Sequence, residues 1–394
     1  MTLPQGDQMR VLLVHNAYQQ RGGEDSVVES EAALLRQRGH DVNVLFRHND
    51  EVNGLSRLSL AAQTMWSHRT VAQLNALMAA GERPDVIHVH NTLPLVSPSV
   101  FWAAAQASVP VVQTLHNFRL LCPQATLLRD GRVCEDCVGK LPWPAVMHRC
   151  YRGSTAQTAA VAVMLGVHRM LGTWHHKVTR FIALSQFGKD KFVQGGLDPS
   201  RIDIKPNFIE WVPVPQWSAR AGGLYVGRLS VEKGVEVLMH VMRQYPAHGL
   251  TVIGSGPFED LMHEVAGSAF LGGRSLQEVL TRLRTASYLV MPSVCYEGFP
   301  RTLVEAFACG VPVIASRHGS LEELVDEGRT GLLFRPGDVT DLIEKIRWAN
   351  ANPQSMLAMG RAARAEYELR YTPERNGQQL EEIYRRAMAE SASS

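Results

Sequence analysis

The chain has 394 residues, 45% of them apolar and 20% charged, which is enough for two or three domains with substantial cores and too apolar for a disordered polymer. A net charge of +2 and a pI near 8.2 exclude a generally basic nucleic-acid binder, so an anionic partner has to be met by local patches. Met1 to Arg10 is polar and the apolar Val11–Val14 is too short for a signal-peptide core, so a cytoplasmic location is expected. The longest uncharged stretch, Val86–Phe118, is cut by Pro94, Pro98 and Pro110, and Gly153–Val167 falls short of the roughly 20 residues that a spanning helix needs.

Taken in order, Met9–His15 reads as a strand, Glu24–Arg38 as a helix, Val42–Phe46 as a strand and Ser56–Ala80 as mostly helix. Strands follow at Asp85–His90 and Val111–Leu115, then an irregular insertion near 117–152. Thr155–Gly172 reads as helix, Arg180–Leu184 as strand and Ser185–Gly195 as helix, and the first domain closes at Ile209. Glu210–Gly222, with Pro213, Pro215 and two Trp, has the composition of a linker. The pattern restarts at Gly223 with a strand at Leu224–Gly227; further on, strands at Tyr288–Pro292 and Val311–Ala315 flank a short helix, Thr302–Cys309, stopped by Gly310. Helices at Asp338–Ala349 and Glu374–Met388 end the chain. Strands alternating with helices throughout predict an α/β protein of doubly wound parallel sheets, divided into residues 1–209, 210–372 and 373–394.

Two segments of the second domain carry the chemistry. In Cys295-Tyr-Glu-Gly-Phe-Pro-Arg-Thr-Leu-Val-Glu305 a loop turns into a helix between Glu297 and Glu305. A helix N-terminus offers unpaired N–H groups and a positive dipole end to an anion, and Glu305, one turn inside, is placed to accept from a ribose diol. Alone, two such acids are more often solvated. Upstream, Leu224-Tyr-Val-Gly-Arg-Leu-Ser-Val-Glu-Lys-Gly234 ends a strand and places Arg228 and Lys233 on the turn that follows, where doubly wound sheets hold ligands.

Together these segments resemble the retaining glycosyltransferases of the GT-B fold, specifically glycosyltransferase family four; the Glu297-Gly-Phe-Pro through Ser316 stretch is among its more specific signatures. The resemblance implies two Rossmann-like domains facing across a cleft, with the last helix returning to the first. It implies a UDP- or GDP-sugar donor in the second domain, with Glu305 on the ribose, Arg228 and Lys233 on the phosphates, and Glu297, Gly298, Phe299 and Pro300 on the donor sugar. The glycine-rich Arg21-Gly22-Gly23 loop would lie across from the diphosphate, and His116 of Thr114-Leu-His-Asn would approach the sugar. Glu297, His116, Arg228 and Lys233 are thus the expected catalytic groups. The acceptor would be a glycan or lipid-linked intermediate of cell-surface polysaccharide or lipopolysaccharide synthesis, held by the first domain, with configuration retained. A nucleotide-sugar epimerase and a silent nucleotide-sugar-binding subunit are the alternatives.

Other features remain open. His88 and His90 share a strand face, read here as structural or on the acceptor side although two such rings can chelate a metal. Cys122, Cys134, Cys137 and Cys150 cluster in the insertion, Cys134 and Cys137 forming a two-residue knuckle; a structural zinc and four reduced thiols fit equally, and catalysis is attached to neither. No Asp recurs at i and i+2, so no metal-holding D-x-D is present and no catalytic cofactor is expected; Gly254-Ser-Gly256 lacks the third glycine of a dinucleotide fingerprint. His148, Arg149 and Arg152 on one side, and Arg169, Lys177 and Arg180 on the other, bracket the uncharged Ser154–Val167 helix, which suggests peripheral contact with an anionic membrane.

Overall fold

The computed structural model describes residues 8–210, 214–218 and 220–392. Residues 211–213 and 219 of the expected linker, and the first seven of the polar N-terminal stretch, lie outside them. The chain divides into two compact units. The first takes the chain up to Ala125, Glu135–Pro206 and the chain from Pro373 onward; the second takes Thr126–Cys134 and Asn207–Thr372.

Apolar, β-branched runs buried on both faces suit parallel sheets flanked by helices, and both units are built that way. In the first, β1 (Arg10–Ala17), β2 (Asp41–His48), β3 (Val86–Asn91) and β4 (Val111–Leu115) come from the N-terminal stretch. An antiparallel pair belonging to the second unit follows, β5 (Leu128–Arg129) with β6 (Arg132–Val133), and then β7 (Arg180–Ala183) and β8 (Ile202–Ile204) complete a parallel sheet ordered β2-β1-β3-β4-β7-β8. The second unit orders β9 (Gly223–Val226), β10 (Leu250–Ile253), β11 (Tyr288–Met291), β12 (Val313–Ser316) and β13 (Gly331–Phe334) as β10-β9-β11-β12-β13, again all parallel. Each order reverses beside its first strand, between β1 and β3 and between β9 and β11. The loops leaving those strands diverge to opposite faces of the sheet and open a crevice at their carboxyl ends.

The terminal helix Pro373–Ala392 buries Asn376, Gly377, Leu380, Glu381, Ile383, Tyr384 and Ala387, a helical spacing, and its apolar members join Val11, Leu13, Val86 and Val112 in the core of the first unit. Arg38 binds it with Nε 2.6 Å from Glu381, and His40 lies 3.0 Å from the same carboxylate. The sequence reading omitted Pro353–Arg370, an 18-residue helix of the second unit, because its buried Met356, Met359, Ala363 and Tyr367 are interspersed with Arg and Glu. The insertion is also more ordered than expected, since besides β5 and β6 it holds a helix at Trp143–Met147.

Candidate active site

In the second unit the β9 turn and the loop after β11 meet at the strand-order reversal. Gly234 sets the turn. Its φ of +70° is left-handed, and a Cβ there would sit 1.8 Å from the carbonyl oxygen of Pro292, so only glycine lets the two loops touch. Lys233 therefore reaches Glu297, with Nζ 2.7 and 2.8 Å from the two carboxylate oxygens. Ser293 donates its hydroxyl to Glu297 Oε1 at 2.6 Å, Ser320 donates to the Glu297 carbonyl at 2.8 Å, and the His318 ring lies 2.8 Å from the Ser293 carbonyl. Burial alone would raise the Glu297 carboxyl, but Lys233 and Ser293 outweigh it and hold it below its ordinary value. Lys233 is raised by the same pairing against its own burial. Arg228 is exposed, and among the described residues its side chain makes no ion pair; its carbonyl accepts from the Tyr225 hydroxyl at 2.8 Å.

The helix after Glu297 runs Arg301–Ala308, one residue ahead of expectation, with Pro300 as N-cap and Phe299 buried beneath. Glu305 is buried in its second turn, and burial raises its pKa against the opposing charge of Arg301. Gly254 and Gly256 press on the β9 turn, where a Cβ would meet the Gly227 carbonyl oxygen at 1.9 Å and that of Leu229 at 2.6 Å. Phe270–Arg274 runs beside this loop through Leu271 N–H to the Val252 carbonyl (2.9 Å) and Gly254 N–H to that of Gly272 (3.0 Å). One crevice thus gathers Arg228, Lys233, Glu297 and the start of a helix.

The first unit repeats the arrangement with different chemistry. Gly22 caps the helix Gly23–Gln37 after β1, and Asp25 folds back to accept from Gly22 N–H at 2.6 Å, with His15 Nε2 at 2.8 Å from its other oxygen. Burial would raise Asp25, but these hydrogen bonds hold it low. Neither glycine is demanded by packing: a Cβ on Gly23 would meet nothing within 4 Å, and one on Gly22 only ordinary contacts. Glu24 accepts from Asn117 Nδ2 at 2.6 Å and from the Tyr18 hydroxyl at 2.9 Å, and burial raises its pKa despite both. His116, half-buried after β4, has Nε2 2.8 Å from His90 Nδ1. Behind His90 lie His88 and Glu31, close enough to cage a metal, but the fully buried Lys205 puts its ammonium 2.6 Å from Glu31 and supplies the positive charge that a cation would bring. Burial depresses His88 to about 4, and lowers His90 and His116 well below the usual imidazole range.

A family model described as glycosyl transferases group 1 matches residues 223–366, and one described as a glycosyl transferase 4-like domain matches residues 22–207. The chain belongs to the group 1 glycosyltransferases. A glycogen synthase of Mycobacterium tuberculosis is 29% identical over 90% of this chain and 89% of its own length. A sulfoquinovosyl transferase of Arabidopsis thaliana is 36% identical, over 37% of this chain and only 29% of that protein. Among solved structures, a sucrose-phosphate synthase from Thermosynechococcus elongatus superposes with a TM-score of 0.69 at 19% identity, covering 97% of this chain and all of that one. HepE from Anabaena in complex with UDP-glucose gives 0.63 at 20%, covering 95% and 99%. The fold of this glycosyltransferase is GT-B.

The remaining sequence candidates of this glycosyltransferase lie in the insertion and the helix behind it. Cys122 and Cys137 are buried, and Cys134 and Cys150 half-buried. The uncharged helix, observed at Thr155–Met170, turns Val161, Ala162, Met164 and Leu165 inward, so most of its apolar surface is core. The exposed apolar side chains are instead Leu141, Trp143 and Met147 on the preceding segment, with Val163, Met170 and Leu171. Sequence reasoning missed Ser293, Ser320 and His318 around Glu297, and Glu31, Lys205 and Glu24 in the first unit. Only Asn117, inside the Thr114-Leu-His-Asn motif, carried a signal.

Proposed function

We propose that this glycosyltransferase moves a sugar from a UDP- or GDP-sugar to a glycan or lipid-linked acceptor, with retention and without a catalytic metal. The observation that carries this is the crevice at the β9/β11 reversal, where cations, a helix N-terminus and a buried acid on its second turn converge. Glu305 takes the ribose. The diphosphate meets the helix N-terminus, Arg228 and Lys233, and since Lys233 already serves Glu297, Arg228 contributes the larger uncompensated charge. Glu297 and the Gly298-Phe299-Pro300 backbone hold the donor sugar. The anomeric carbon–oxygen bond breaks with its electron pair on the diphosphate, the acceptor oxygen attacks the same face, and the departing phosphate takes the acceptor's proton. Stabilising charge on that leaving group is the largest electrostatic contribution. The UDP-glucose complex of HepE, in the same fold, supports the donor class. The name of a phosphatidyl-myo-inositol mannosyltransferase of Mycobacterium leprae, 25% identical over 82% of this chain and 83% of its own length, supports the lipid-linked acceptor.

Arg228→Ala is the test. The side chain is exposed and makes no ion pair among the described residues, so the fold should hold while the barrier rises by about 2–4 kcal/mol and kcat falls roughly 30- to 10³-fold. Near-native turnover overturns the reading, and donor turnover without acceptor reassigns it to an epimerase. Two further readings belong to the same proposal. Trp143 and Met147, with the exposed Lys140, Arg149 and Arg152 near them in the chain, rest peripherally on an anionic membrane at the cytoplasmic face; of the expected cations, Arg180 is instead buried against Asp203 and Glu390, and Arg169 donates to the Lys140 and Leu120 carbonyls. On their spacing, Cys122, Cys134, Cys137 and Cys150 hold a structural zinc.

A further inference from the structure

We infer that Glu31, anchored by Lys205 and acting through His90, fixes the tautomer of His116, so that His116 offers an unprotonated Nδ1 to the substrate; the catalytic consequence rests on the transfer reading above. Glu31 Oε1 is 2.6 Å from the Lys205 ammonium, which is also 3.1 Å from Asn376 Oδ1. The Asn376 amide is itself oriented, donating Nδ2 to the Pro206 carbonyl at 2.7 Å, so its oxygen faces Lys205. A carboxylate paired in this way is an acceptor only.

Its second oxygen, Oε2, is buried and among the described residues has no hydrogen-bond partner, and two ring nitrogens lie near it: His88 Nδ1 at 3.7 Å and His90 Nε2 at 3.6 Å. His88 has both nitrogens engaged, Nδ1 with the Tyr384 hydroxyl at 2.8 Å and Nε2 with the Thr114 hydroxyl at 2.7 Å. Among the described residues His90 Nε2 has no hydrogen-bond partner. Were it a lone pair, it would face a carboxylate lone pair in a dry interior while the proton sat elsewhere on the ring. Placing the proton on His90 Nε2 turns that repulsion into a long hydrogen bond. His90 Nδ1 is then the acceptor in the 2.8 Å contact with His116, which must donate from Nε2. Burial keeps both rings neutral, so His116 Nδ1 carries no proton and can accept one hydroxyl. Glu31, Lys205 and His90 are positioning residues.

Selective ¹⁵N-histidine labelling with long-range ¹H–¹⁵N spectra tests this directly. His90 and His116 signals are assigned by loss in His90→Asn and His116→Asn. In the native protein both rings should be Nε2–H, and a native His116 that is Nδ1–H overturns the proposal. Glu31→Gln supplies the second arm. Its amide oxygen can keep Lys205 while its NH₂ donates to His90 Nε2, which should reverse both rings to Nδ1–H and lower kcat at least about tenfold. Reversed tautomers with native kcat, or lowered kcat with native tautomers, would each remove the positioning role. The spectra do not depend on sugar transfer, so a protein that ignores every nucleotide sugar would fail the functional reading and leave the tautomer result standing.

Discussion

Replacing Lys233 with Met removes the ammonium and keeps most of the aliphatic stem, leaving Glu297 buried with Ser293 as its remaining side-chain donor. Breaking a fully buried pair from one side costs about 3–5 kcal/mol, whereas exposed pairs contribute about 0.2–1 kcal/mol. Here the Glu297 side chain is 9% exposed and that of Lys233 32%, so water screens one partner and the loss should be near 2 kcal/mol. For a unit of this size that lowers its Tm by roughly 4–8 °C. The pH dependence separates charge from packing. Folding holds Glu297 below its ordinary 4.5 in the native protein, so its stabilisation is present above that value and is lost as pH falls through the folded one. Without Lys233, burial is less opposed and the folded value rises, so acid stabilises the variant relative to its unfolded chain. Both effects narrow the deficit at low pH. Urea titrations at pH 4.5 and 7.5 should therefore show the larger gap at 7.5, and Lys233→Met with Glu297→Gln should recover part of it. A gap independent of pH, with no recovery in the double variant, would refute an ion pair and leave lost packing as the cause.

Gly23→Ala adds a methyl to open space at the first position of a helix, so thermal stability should hold or rise by a few tenths of a kcal/mol. If a ligand approaches this loop, kcat/KM should nonetheless fall about tenfold; native kinetics would show the loop to be a turn only. Chelator should leave initial rates unchanged and slowly lower the Tm as zinc is stripped from the four cysteines. Immediate loss restored by magnesium contradicts the first half, and zinc-free protein from zinc-supplemented preparation contradicts the second. Vesicles with anionic lipid should pellet the protein in low salt and release it in high salt, each near-surface Lys or Arg adding about 1 kcal/mol. Trp143→Ser with Met147→Ser should weaken that binding, and failure to co-sediment at low salt would move the acceptor into solution.

The parallel sheets were legible because buried strands write themselves as apolar runs and the helices between them keep a 3.6-residue period. The helix Arg301–Ala308 was placed to within one residue, since Pro300 and Gly310 punctuate both its ends. Residues 353–370 failed the same test: the buried Met356, Met359, Ala363 and Tyr367 keep helical spacing, but Arg and Glu between them dilute the apolar signal. The helix expected beside the membrane packs into the core for a related reason. An uncharged helix has the same sequence whether its apolar side faces the core or lipid, and here the core takes most of it while Trp143 and Met147 outside that helix stay exposed.

At the candidate site, local motifs were legible and long-range partners were not. Arg228, Lys233, Glu297 and Glu305 sit in two short segments whose turn glycines, prolines and charges cluster in sequence. Glu31, Lys205, His88, His90 and Tyr384 form one buried polar network whose directly bonded partners lie as much as 296 residues apart, as in His88 with Tyr384 and Lys205 with Glu31. In sequence, Glu31 is one of several acids on a surface-facing amphipathic helix and Lys205 one of forty basic residues. Neither can be distinguished from a solvated charge until the sheet order brings β3 between β1 and β4 and the terminal helix covers it. Buried charge is expensive unless compensated, so these residues become informative only once their partners are known. The same topology that hid them from the sequence holds His116 at the end of β4 and makes its tautomer a property of the whole first unit.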